Sequence, residues 1–509
     1  MMKLWGMLLV FIAFNYADDS LLSLDRYHTH EEMISFLKNF TKMHSNLTRL
    51  YSIGESFEGR ELLVLRISGG DDLLLRPNLK LVGNIHGNEA VGREVLLHFI
   101  EYLVTEYNKG NKRVRRLLDY AHVHILPSMN PDGFACALRD NVVDDHDSEP
   151  GIHPPGHCMA RDGRANSLGK DLNRNFPDYF RKVRPELQNE TLAVMRWLDD
   201  FPFVLSAALH GGSLVANYPF DNSKYDIWEQ FFKTVDVSQL SQEEVTKLWK
   251  KWRPGSLSKE PNLTEDDDVF KHLALVYARK HPTMHKGKAC PNNYAKDTFP
   301  KGIVNGAEWY PLTGSMQDYN YVVHGCMEIT LEISCCKFPE PEELQSSWDQ
   351  NREPLLAFLE ESRRGVRGFV MDENGIPLPN ATIRILGRET FPFYSTPKGE
   401  FWRILLAGTY LFQVEAQGFD NRRITVIVNE PKQAEWEWPR VVNVTLYRTG
   451  STRTTQVITS SETSTESMRN IRGSASSWES ESLQHANKSS AVTLMFSKLL
   501  LVLVVLFSL

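Results

Sequence analysis

The chain has 509 residues, of which 42% are hydrophobic and 24% are charged, and its formal net charge is −7. This length allows about two or three domains with a sizeable core, and it excludes a small scaffold that depends on disulfides for its fold. The mild negative charge and the lack of a basic stripe argue against a nucleic acid as partner.

The first 17 residues have the composition of a secretory signal. Lys3 precedes an apolar run, and a small residue, Ala17, precedes two aspartates. This order is typical of a signal peptide. A signal anchor is the less favoured alternative, because the apolar run is short for a bilayer span. We therefore expect residues 1–17 to be a signal peptide and the chain to enter the secretory pathway.

Sequons and cysteines both agree with a secretory route. N-x-S/T sequons are acceptors for N-linked glycans, and the candidate sites are Asn39, Asn46, Asn189, Asn262, Asn380 and Asn443. Six cysteines in an oxidising compartment predict disulfides rather than metal ligands. Their spacing does not fix the connectivity, although Cys136 and Cys158 flank one polar stretch and a bridge between them would close it locally.

Residues 18–362 alternate strand-like and helix-like runs, which predicts an α/β domain. Expected strands lie at residues 62–68, 79–85, 123–127, 203–209 and 327–333. Expected helices lie at residues 27–44, 94–107, 190–199, 266–279 and 341–362. Folds of this class place their ligands beyond the carboxyl ends of the strands.

A strand-to-helix corner at residues 81–94 carries the first candidate site residues. Its apolar half ends at His86, and Glu89 follows three residues later, before a helical run. An imidazole and a carboxylate at a strand end are two thirds of an open zinc site. The same pair alone would also fit a surface histidine beside a helix-capping glutamate.

A second strand ends in the same way. The apolar run at 203–209 leads into His210-Gly211-Gly212. A single histidine at a strand end is more often only a hydrogen-bonding group, but two such ends together with a carboxylate favour a metal site. His210 is therefore the candidate for the third ligand.

Between the two corners lies a polar loop at residues 163–178 that contains Asn173 and Arg174. Arginine presents a planar fork that binds a carboxylate through two parallel hydrogen bonds, and the asparagine amide adds a donor. Such a pair can hold the free terminus of a peptide. The dipeptide alone would equally fit a solvated loop with surface charge.

The C-terminal part of the chain changes character three times. Residues 363–448 alternate apolar and polar positions around turn residues, which predicts a small all-β sandwich. Residues 449–490 are rich in Ser, Thr and Glu and are expected to form a disordered stalk. Residues 491–509 are apolar and follow a cluster of small residues and a polar spacer, the order of a glycosylphosphatidylinositol (GPI) anchor signal.

The predicted location is the extracellular face of the cell membrane, with the chain attached through a GPI anchor. A single membrane span is the main alternative for residues 491–509, but a span would normally carry basic residues on its cytoplasmic side, and none follows here. Secretion without an anchor is a second alternative.

Five stretches of the chain resemble motifs of the zinc metallocarboxypeptidases, in particular of their regulatory (N/E) branch, which includes carboxypeptidase M. They are HGNE at 86–89, PSMNPDGF at 127–134, DLNRNFPD at 171–178, YPFD at 218–221 and EITLE at 328–332. The resemblance implies a mixed sheet flanked by helices, followed by a transthyretin-like β-sandwich. It also implies one zinc ion per chain as the cofactor.

The resemblance implies that His86, Glu89 and His210 bind this zinc ion. Glu332 would be the general base that acts on a zinc-activated water, and Arg164 would polarise the carbonyl of the scissile bond. Zinc lowers the pKa of its bound water towards about 7, so a carboxylate can take the proton and later deliver it to the leaving amine.

The same resemblance implies roles for four further residues. Asn173 and Arg174 would hold the terminal carboxylate of the substrate, and Tyr310 would close over the bound substrate. Asp171 would contact His86, the first zinc-binding histidine, rather than the ion, and would orient that side chain.

The resemblance also implies the substrate preference. Asp221 stands where the regulatory branch keeps an acid for a C-terminal Arg or Lys, and Gln317 matches a polar partner in that pocket. A buried carboxylate selects a cationic side chain, because an apolar one leaves the charge unpaired. The simpler alternative is that Asp221 only caps a turn.

Two departures from the family pattern stand out. About twenty to thirty extra residues occur around 223–262, and this segment could narrow the cleft or bind a partner. Relatives have a cysteine pair that reaches the second domain, whereas residues 363–448 contain no cysteine here. A Cys290–Cys335 bridge is then the best remaining pairing, which leaves Cys326 and Cys336 unassigned.

The sequence thus predicts an extracellular, monomeric zinc carboxypeptidase that acts on peptides and proteins with basic C-termini. A catalytically inactive binding protein is one alternative, but every group required for catalysis is present in the sequence. An adhesion protein that acts through its β-sandwich is the other, and that segment has no evident cluster of exposed aromatic residues.

Overall fold

The computed structural model describes residues 22–70, 74–147, 163–181, 185–224, 244, 260–291, 297–430 and 439–450. The predicted signal peptide, stalk and anchor signal lie outside these residues, as does most of the extra segment around 223–262. None of the helices in the described ranges combines the length and the apolar composition that a bilayer crossing requires.

A mixed sheet of eight strands forms the centre of the first domain. The strands are β1 (Thr48–Glu55), β2 (Glu61–Ile67), β3 (Asn78–Gly83), β4 (His122–Leu126), β5 (Phe203–His210), β6 (Ser213–Tyr218), β7 (Ile303–Asn305) and β8 (Met327–Ser334). They lie side by side in the order β1-β2-β4-β3-β5-β8-β6-β7. The central neighbours β3, β5 and β8 are parallel. Their carboxyl ends therefore meet at one edge of the sheet, where the site lies.

Helices cover both faces of this sheet. They are α1 (His30–Met43), α2 (Val91–Asn108), α3 (Lys112–Tyr120), α4 (Pro131–Asp147), α5 (Asn189–Asp200), α6 (Asp267–Lys280), α7 (Gly306–Trp309), α8 (Met316–His324) and α9 (Leu344–Glu360). Alternate strand residues point into two separate apolar cores: Leu79 and Leu81 pack with α1, α2, α6 and α9, whereas Val82 packs with α5 and α8. Strands covered on both faces are apolar throughout, which explains the uninterrupted apolar runs in the sequence.

The expected α/β fold is confirmed, and each strand and helix expected in this domain has a counterpart within a few residues. Helix α4 was missed, and with it the environment of Cys136. That residue lies in the second turn of α4, is half-buried and is a free thiol. Because Cys136 is a free thiol, the suggested bridge from Cys136 to Cys158 is wrong.

The Cys290–Cys335 bridge is present, with Cα atoms 5.5 Å apart. Cys336 is also disulfide-bonded, and Cys158 lies outside the described residues. Cys326 is a buried free thiol, and burial raises its pKa to about 12. The thiol therefore stays protonated at neutral pH.

The second domain is the expected β-sandwich. Its strands are β9 (Val366–Asp372), β10 (Thr382–Ile385), β11 (Arg388–Tyr394), β12 (Glu400–Arg403), β13 (Gly408–Glu415), β14 (Arg422–Val428), β15 (Arg440–Val441) and β16 (Val444–Leu446). One sheet has the order β11-β10-β13-β14, and the other has β12-β9-β15 with β16 also paired to β9. Burial alternates strictly along β9, as expected for a strand with one face on a core. Residues of this domain and of the first belong to one compact unit that ends at Thr449.

The sequon asparagines differ in their surroundings. Asn39, Asn46, Asn189, Asn380 and Asn443 are exposed, and glycosylation there stays a prediction. Asn262 is only 8% exposed, and its Nδ2 donates to the Asn222 carbonyl oxygen at 2.7 Å. A buried amide nitrogen that donates a hydrogen bond within the fold has no space for a glycan. The structure therefore contradicts the predicted glycosylation of Asn262.

Candidate active site

Asn84 shapes the loop between β3 and α2. Its φ of 61° lies in the left-handed region, which asparagine tolerates better than most residues. Its Nδ2 donates to the carbonyl oxygens of His86 and Gly87, both at 2.9 Å, and its Oδ1 accepts from Ser128 Oγ at 2.9 Å. These bonds fix the turn from which His86 and Glu89 enter the site.

His86, Glu89 and His210 converge although 121 positions separate Glu89 from His210. Their potential ligand atoms all lie within 4.8 Å of one another, and all three side chains are buried. Glu89 Oε2 lies 2.9 Å from the Nδ1 atom of each histidine. The structure therefore brings together the three residues predicted to bind a metal.

The donor set fits zinc. Two imidazole nitrogens and one carboxylate are a known ligand set for catalytic zinc. His86 Nε2 lies 3.1 Å from Asp171 Oδ1, so a proton on Nε2 leaves the Nδ1 lone pair for the ion. Burial lowers the pKa of His210, which keeps that ring neutral as a ligand must be.

Asp171 holds the first histidine from behind. It precedes the short helical turn Leu172–Arg174, and its Oδ1 also accepts from the Asn173 N–H at 2.9 Å. Burial alone would raise the pKa of Asp171, but its hydrogen bond with His86 and the charges of Arg164 and Arg174 together lower it. Asp171 is therefore a carboxylate at neutral pH, as its predicted orienting role requires.

Arg164 lies across the mouth of the same group. Its Nε donates to Asp171 Oδ2 at 3.2 Å, and one of its terminal nitrogens donates to Glu89 Oε1 at 3.2 Å. About a third of its side chain is exposed to the cleft. The guanidinium therefore lies beside the candidate metal ligands, with part of it open to the cleft.

Glu332 lies on β8 and lines the same cleft. It is 8% exposed, and its Oε2 has no hydrogen-bond partner among the described residues. Burial, together with the negative charge of Glu89, raises the pKa of Glu332 well above the usual glutamate range. A carboxylate with a free oxygen and a raised pKa suits a group that takes up a proton and gives it back.

The predicted carboxylate-binding pair lies beside these residues. Asn173 Oδ1 accepts from the Met316 N–H at 3.0 Å, which leaves the amide nitrogen as a donor for a ligand. Arg174 donates to the Asn173 carbonyl oxygen at 2.9 Å, and about a third of its side chain is exposed. Tyr310 is 39% exposed and packs on the Trp309 ring, with centroids 4.8 Å apart.

Asp221 is a buried residue of the cleft lining. Only 1% of it is exposed, and its Oδ1 accepts from Asn217 Nδ2 at 2.9 Å and Gln317 Nε2 at 3.2 Å. Its own N–H donates to Asp318 Oδ1 at 2.9 Å. Burial raises the pKa of Asp221. A carboxylate so far from water is costly to ionise until a cation lies beside it.

The structure gathers the predicted site residues around one cleft. Those that line it are His86, Glu89, Arg164, Asn173, Arg174, His210, Asp221, Tyr310 and Glu332. The other two stand behind the lining: Asp171 contacts His86, and Gln317 contacts Asp221.

Sequence reasoning missed three side chains of the site. Lys337 Nζ lies 2.7 Å from Glu89 Oε1, Asn217 is a donor to Asp221, and Asp318 binds the backbone of Asp221. The signal for Asn217 was a polar residue inside the apolar strand β6. Lys337 and Asp318 lie in locally polar stretches, where a further polar residue is no comparable signal.

Comparison with known proteins agrees with this geometry. The model of the zinc carboxypeptidase family matches residues 33–354, and that of the carboxypeptidase regulatory-like domain matches residues 365–447. Carboxypeptidase M of Mus musculus is 41% identical over 424 residues, which cover 82% of this chain and 83% of that protein. Carboxypeptidase D of Anas platyrhynchos is 40% identical over 427 residues, which cover 83% of this chain and 27% of that protein.

One further relative and one solved structure are also similar to this chain. Carboxypeptidase Z of Rattus norvegicus is 37% identical over 431 residues, which cover 79% of this chain and 58% of that protein. The chain thus spans most of carboxypeptidase M but only about a quarter of carboxypeptidase D. Among solved structures, thrombin-activatable fibrinolysis inhibitor has a TM-score of 0.47 and 16% identity, over 66% of this chain and 74% of that one.

Proposed function

Because this chain belongs to the zinc carboxypeptidase family, we propose that it removes C-terminal Arg or Lys from peptides and proteins. The observation that carries the proposal is Asp221, a buried carboxylate on the lining of the same cleft as the candidate metal ligands. A cationic side chain that reaches Asp221 would pair its charge, whereas an apolar one would leave it unpaired.

The carboxylate of the substrate has its own binding group. The Arg174 guanidinium and the Asn173 amide nitrogen offer donors between Asp221 and the metal ligands, on the lining of one cleft. A terminal carboxylate bound there would place the last peptide bond next to Glu89 and Glu332, which makes the protein an exopeptidase. Tyr310, partly exposed at this point, would cover the bound terminus.

Bond cleavage would use the bound ion, its three ligands and three further side chains. A bound zinc ion supplies Lewis-acid polarisation of the carbonyl and lowers the pKa of water towards about 7. Glu332 takes a proton from the attacking water and delivers it to the leaving amine. Arg164 faces the oxygen on which negative charge develops, a contact that strengthens only in the transition state. Asp171 keeps His86 in the required orientation.

Zinc analysis combined with a substrate comparison tests this function. Protein purified without chelators is expected to contain one zinc ion per chain and to release the last residue of peptides that end in Arg or Lys. The matched control is the same peptide ending in Phe. Equal turnover of the Phe peptide would overturn the basic preference, and stoichiometric zinc without any activity would favour the inactive binding protein.

We also propose that a GPI anchor attaches the protein to the extracellular face of the cell membrane. The support is the order of small residues, polar spacer and apolar residues 491–509. Treatment of intact cells with a phosphatidylinositol-specific phospholipase is expected to release the activity into the medium. Activity that stays on the cells would favour a membrane span, and activity already in the medium would favour secretion.

Domain boundaries and assembly are proposals of the same kind. We propose a catalytic domain at 18–362, a sandwich at 363–448 and a stalk at 449–490, and the family matches at 33–354 and 365–447 support the first two. The protein is expected to act as a monomer, because one chain supplies every residue of the cleft. A molar mass measured by light scattering at twice the chain mass would contradict this.

A further inference from the structure

One aromatic residue of the β-sandwich lies inside the first domain. Phe391 on β11 is 8% exposed and belongs to the main apolar core of the α/β domain rather than to the core of its own sandwich. Its ring centroid lies 5.8 Å from that of Phe220, 5.4 Å from that of Tyr321 and 5.1 Å from that of Tyr179.

Two of these neighbours belong to the elements that place Asp221. Phe220 is the residue directly before Asp221 in the chain. Tyr321 lies on α8, one turn after Gln317 and Asp318, which contact the Asp221 side chain and its backbone N–H. The Phe391 ring therefore packs against both the loop that carries Asp221 and the helix that holds it.

Polar contacts of two residues just before Phe391 fix its insertion. Arg388 donates one hydrogen bond to Asp266 at 2.9 Å and two to the carboxylate oxygens of Asp268, at 2.9 and 2.8 Å. Thr390 donates to Glu265 from its N–H at 2.9 Å and from its hydroxyl at 2.6 Å. The strand on which Phe391 lies is thus attached to the first domain directly beside the ring.

A second group of contacts joins the sandwich to α8. Arg403 of β12 binds Asp266, and the Tyr321 hydroxyl donates to the same carboxylate at 2.8 Å. Arg403 also donates to the Gly325 carbonyl oxygen at 3.4 Å, at the end of α8. The sandwich therefore contacts α8 at Tyr321 and at its C-terminal end, while the first turn of α8 holds Asp221.

From these contacts we propose that Phe391 is a positioning residue for substrate specificity: the sandwich holds the Asp221 carboxylate in place through Phe220 and Tyr321. The inference rests on the proposed preference for basic C-termini. Protein interiors are close-packed, so loss of the ring opens a cavity towards which its neighbours relax. A displacement of about 1 Å at a binding group is enough to weaken substrate binding strongly.

The candidate metal ligands and Glu332 lie on elements other than those of Phe220 and Tyr321. His86 and Glu89 follow the central strand β3, His210 is the last residue of β5, and Glu332 lies on β8. Loss of the Phe391 ring should therefore act on binding of the basic side chain and leave the chemical step nearly intact. That separation distinguishes a positioning role from general loosening of the fold.

The test compares three variants of the full chain with wild type, using peptides that end in Arg. Phe391→Ala is expected to raise KM about tenfold with kcat within about twofold and an unchanged zinc content. Phe391→Leu refills most of the space and should raise KM only about threefold. The control is Trp402→Ala, which removes another aromatic residue at the domain interface, one that donates to the Leu75 carbonyl oxygen at 3.1 Å and not to a cleft residue.

The outcomes separate the inference from the proposed function. A wild type without preference for Arg or Lys overturns the proposed function itself. Given that preference, an unchanged KM in Phe391→Ala overturns the inference, and so does an equal rise of KM in Trp402→Ala. If Phe391→Ala does not fold, Phe391→Leu decides: a KM equal to that of wild type overturns the inference, and the expected rise supports it.

Discussion

Glu332 on β8 lies directly opposite His210 on β5 in the register of two parallel strands. Paired residues of neighbouring strands project from the same face of a sheet, so the two side chains leave the sheet next to each other. A proposed proton-transfer group thus stands beside a proposed metal ligand through backbone hydrogen bonding alone. The geometry of the site follows from the rigid centre of the sheet rather than from a flexible loop.

The first prediction concerns Glu332→Gln. Glutamine keeps the size of the side chain but cannot carry the proton, so kcat is expected to fall by about two to four orders of magnitude. Zinc content and thermal stability should stay at wild-type values, because Glu332 is not among the three candidate ligands. Steady-state kinetics with metal analysis of the same preparation measures both, and a kcat within tenfold of wild type would contradict the role of base.

Asp221→Asn should change substrate preference. The amide keeps the shape of the pocket but leaves a bound cation without its counter-charge, a loss of about 3 to 5 kcal/mol for a buried pair. We expect kcat/KM for Arg-ending peptides to fall by a factor of about 10² to 4 × 10³, since about 1.4 kcal/mol corresponds to a factor of ten. A peptide ending in Phe is the internal control. A parallel fall for both peptides would show that Asp221 supports the fold rather than specificity.

Asp171→Asn should weaken metal binding without removing a ligand. Asparagine can still face His86 Nε2, but it lacks the charge that favours a proton there, and changes of this kind typically cost about 10- to 100-fold in metal affinity. Competition with a zinc chelator, followed by fluorescence of the chelator, measures the affinity directly. An affinity equal to that of wild type would mean that the contact at 3.1 Å does not tune the site.

His281 should make stability depend on pH. It is 1% exposed, and burial, followed by the positive charge of His285, lowers its pKa to about 4 from an ordinary value of 6.5. Between these two pH values the unfolded chain binds a proton that the folded chain does not, so stability is complete above about pH 6.5 and falls as the pH approaches 4. The upper bound of this loss is about 3 kcal/mol.

His281→Gln should therefore flatten the pH dependence of Tm in that range. Loss of zinc at low pH also lowers Tm, but it affects the variant and the wild type equally, so the difference between their two slopes isolates His281. Identical slopes from pH 7 to pH 4 would contradict the prediction.

The Cys290–Cys335 bridge should contribute strongly to stability. It closes a loop of 45 residues, and the chain-entropy relation gives about 4 kcal/mol for a loop of that length. The double variant Cys290→Ser, Cys335→Ser is expected to have a clearly lower Tm than wild type. Cys136→Ser removes a thiol that is already free and is the matched control. An equal Tm in the double variant and in wild type would show that the bridge adds nothing.

Local patterns explain what could be predicted from the sequence. His86 and His210 each follow an apolar run and precede a glycine, and strand ends of this kind are where α/β folds place ligands. Residue spacing alone did not show that they share one ion, because their approach depends on β3 and β5 being neighbours in the sheet. The family motifs supplied that step for His86, Glu89 and His210.

The predictions that failed depended on tertiary structure. Cys136 lies in helix α4, whereas the sequence pattern indicates the edge of a loop. A sequon does not indicate whether its amide is buried, and the amide of Asn262 is. Asp318 and Lys337 lie in polar stretches that resemble surface. Asp318 reaches Asp221 because α8 packs on the Asp221 loop. Lys337 reaches Glu89 because of the turn after β8.

The shared core has a practical consequence for how the protein can be divided. Phe391 and Ile404, both from the sandwich, complete the interior of the α/β domain. A catalytic half expressed alone would present that uncovered apolar surface to water and would tend to aggregate. We therefore expect the two halves to survive limited proteolysis and recombinant expression only as a pair.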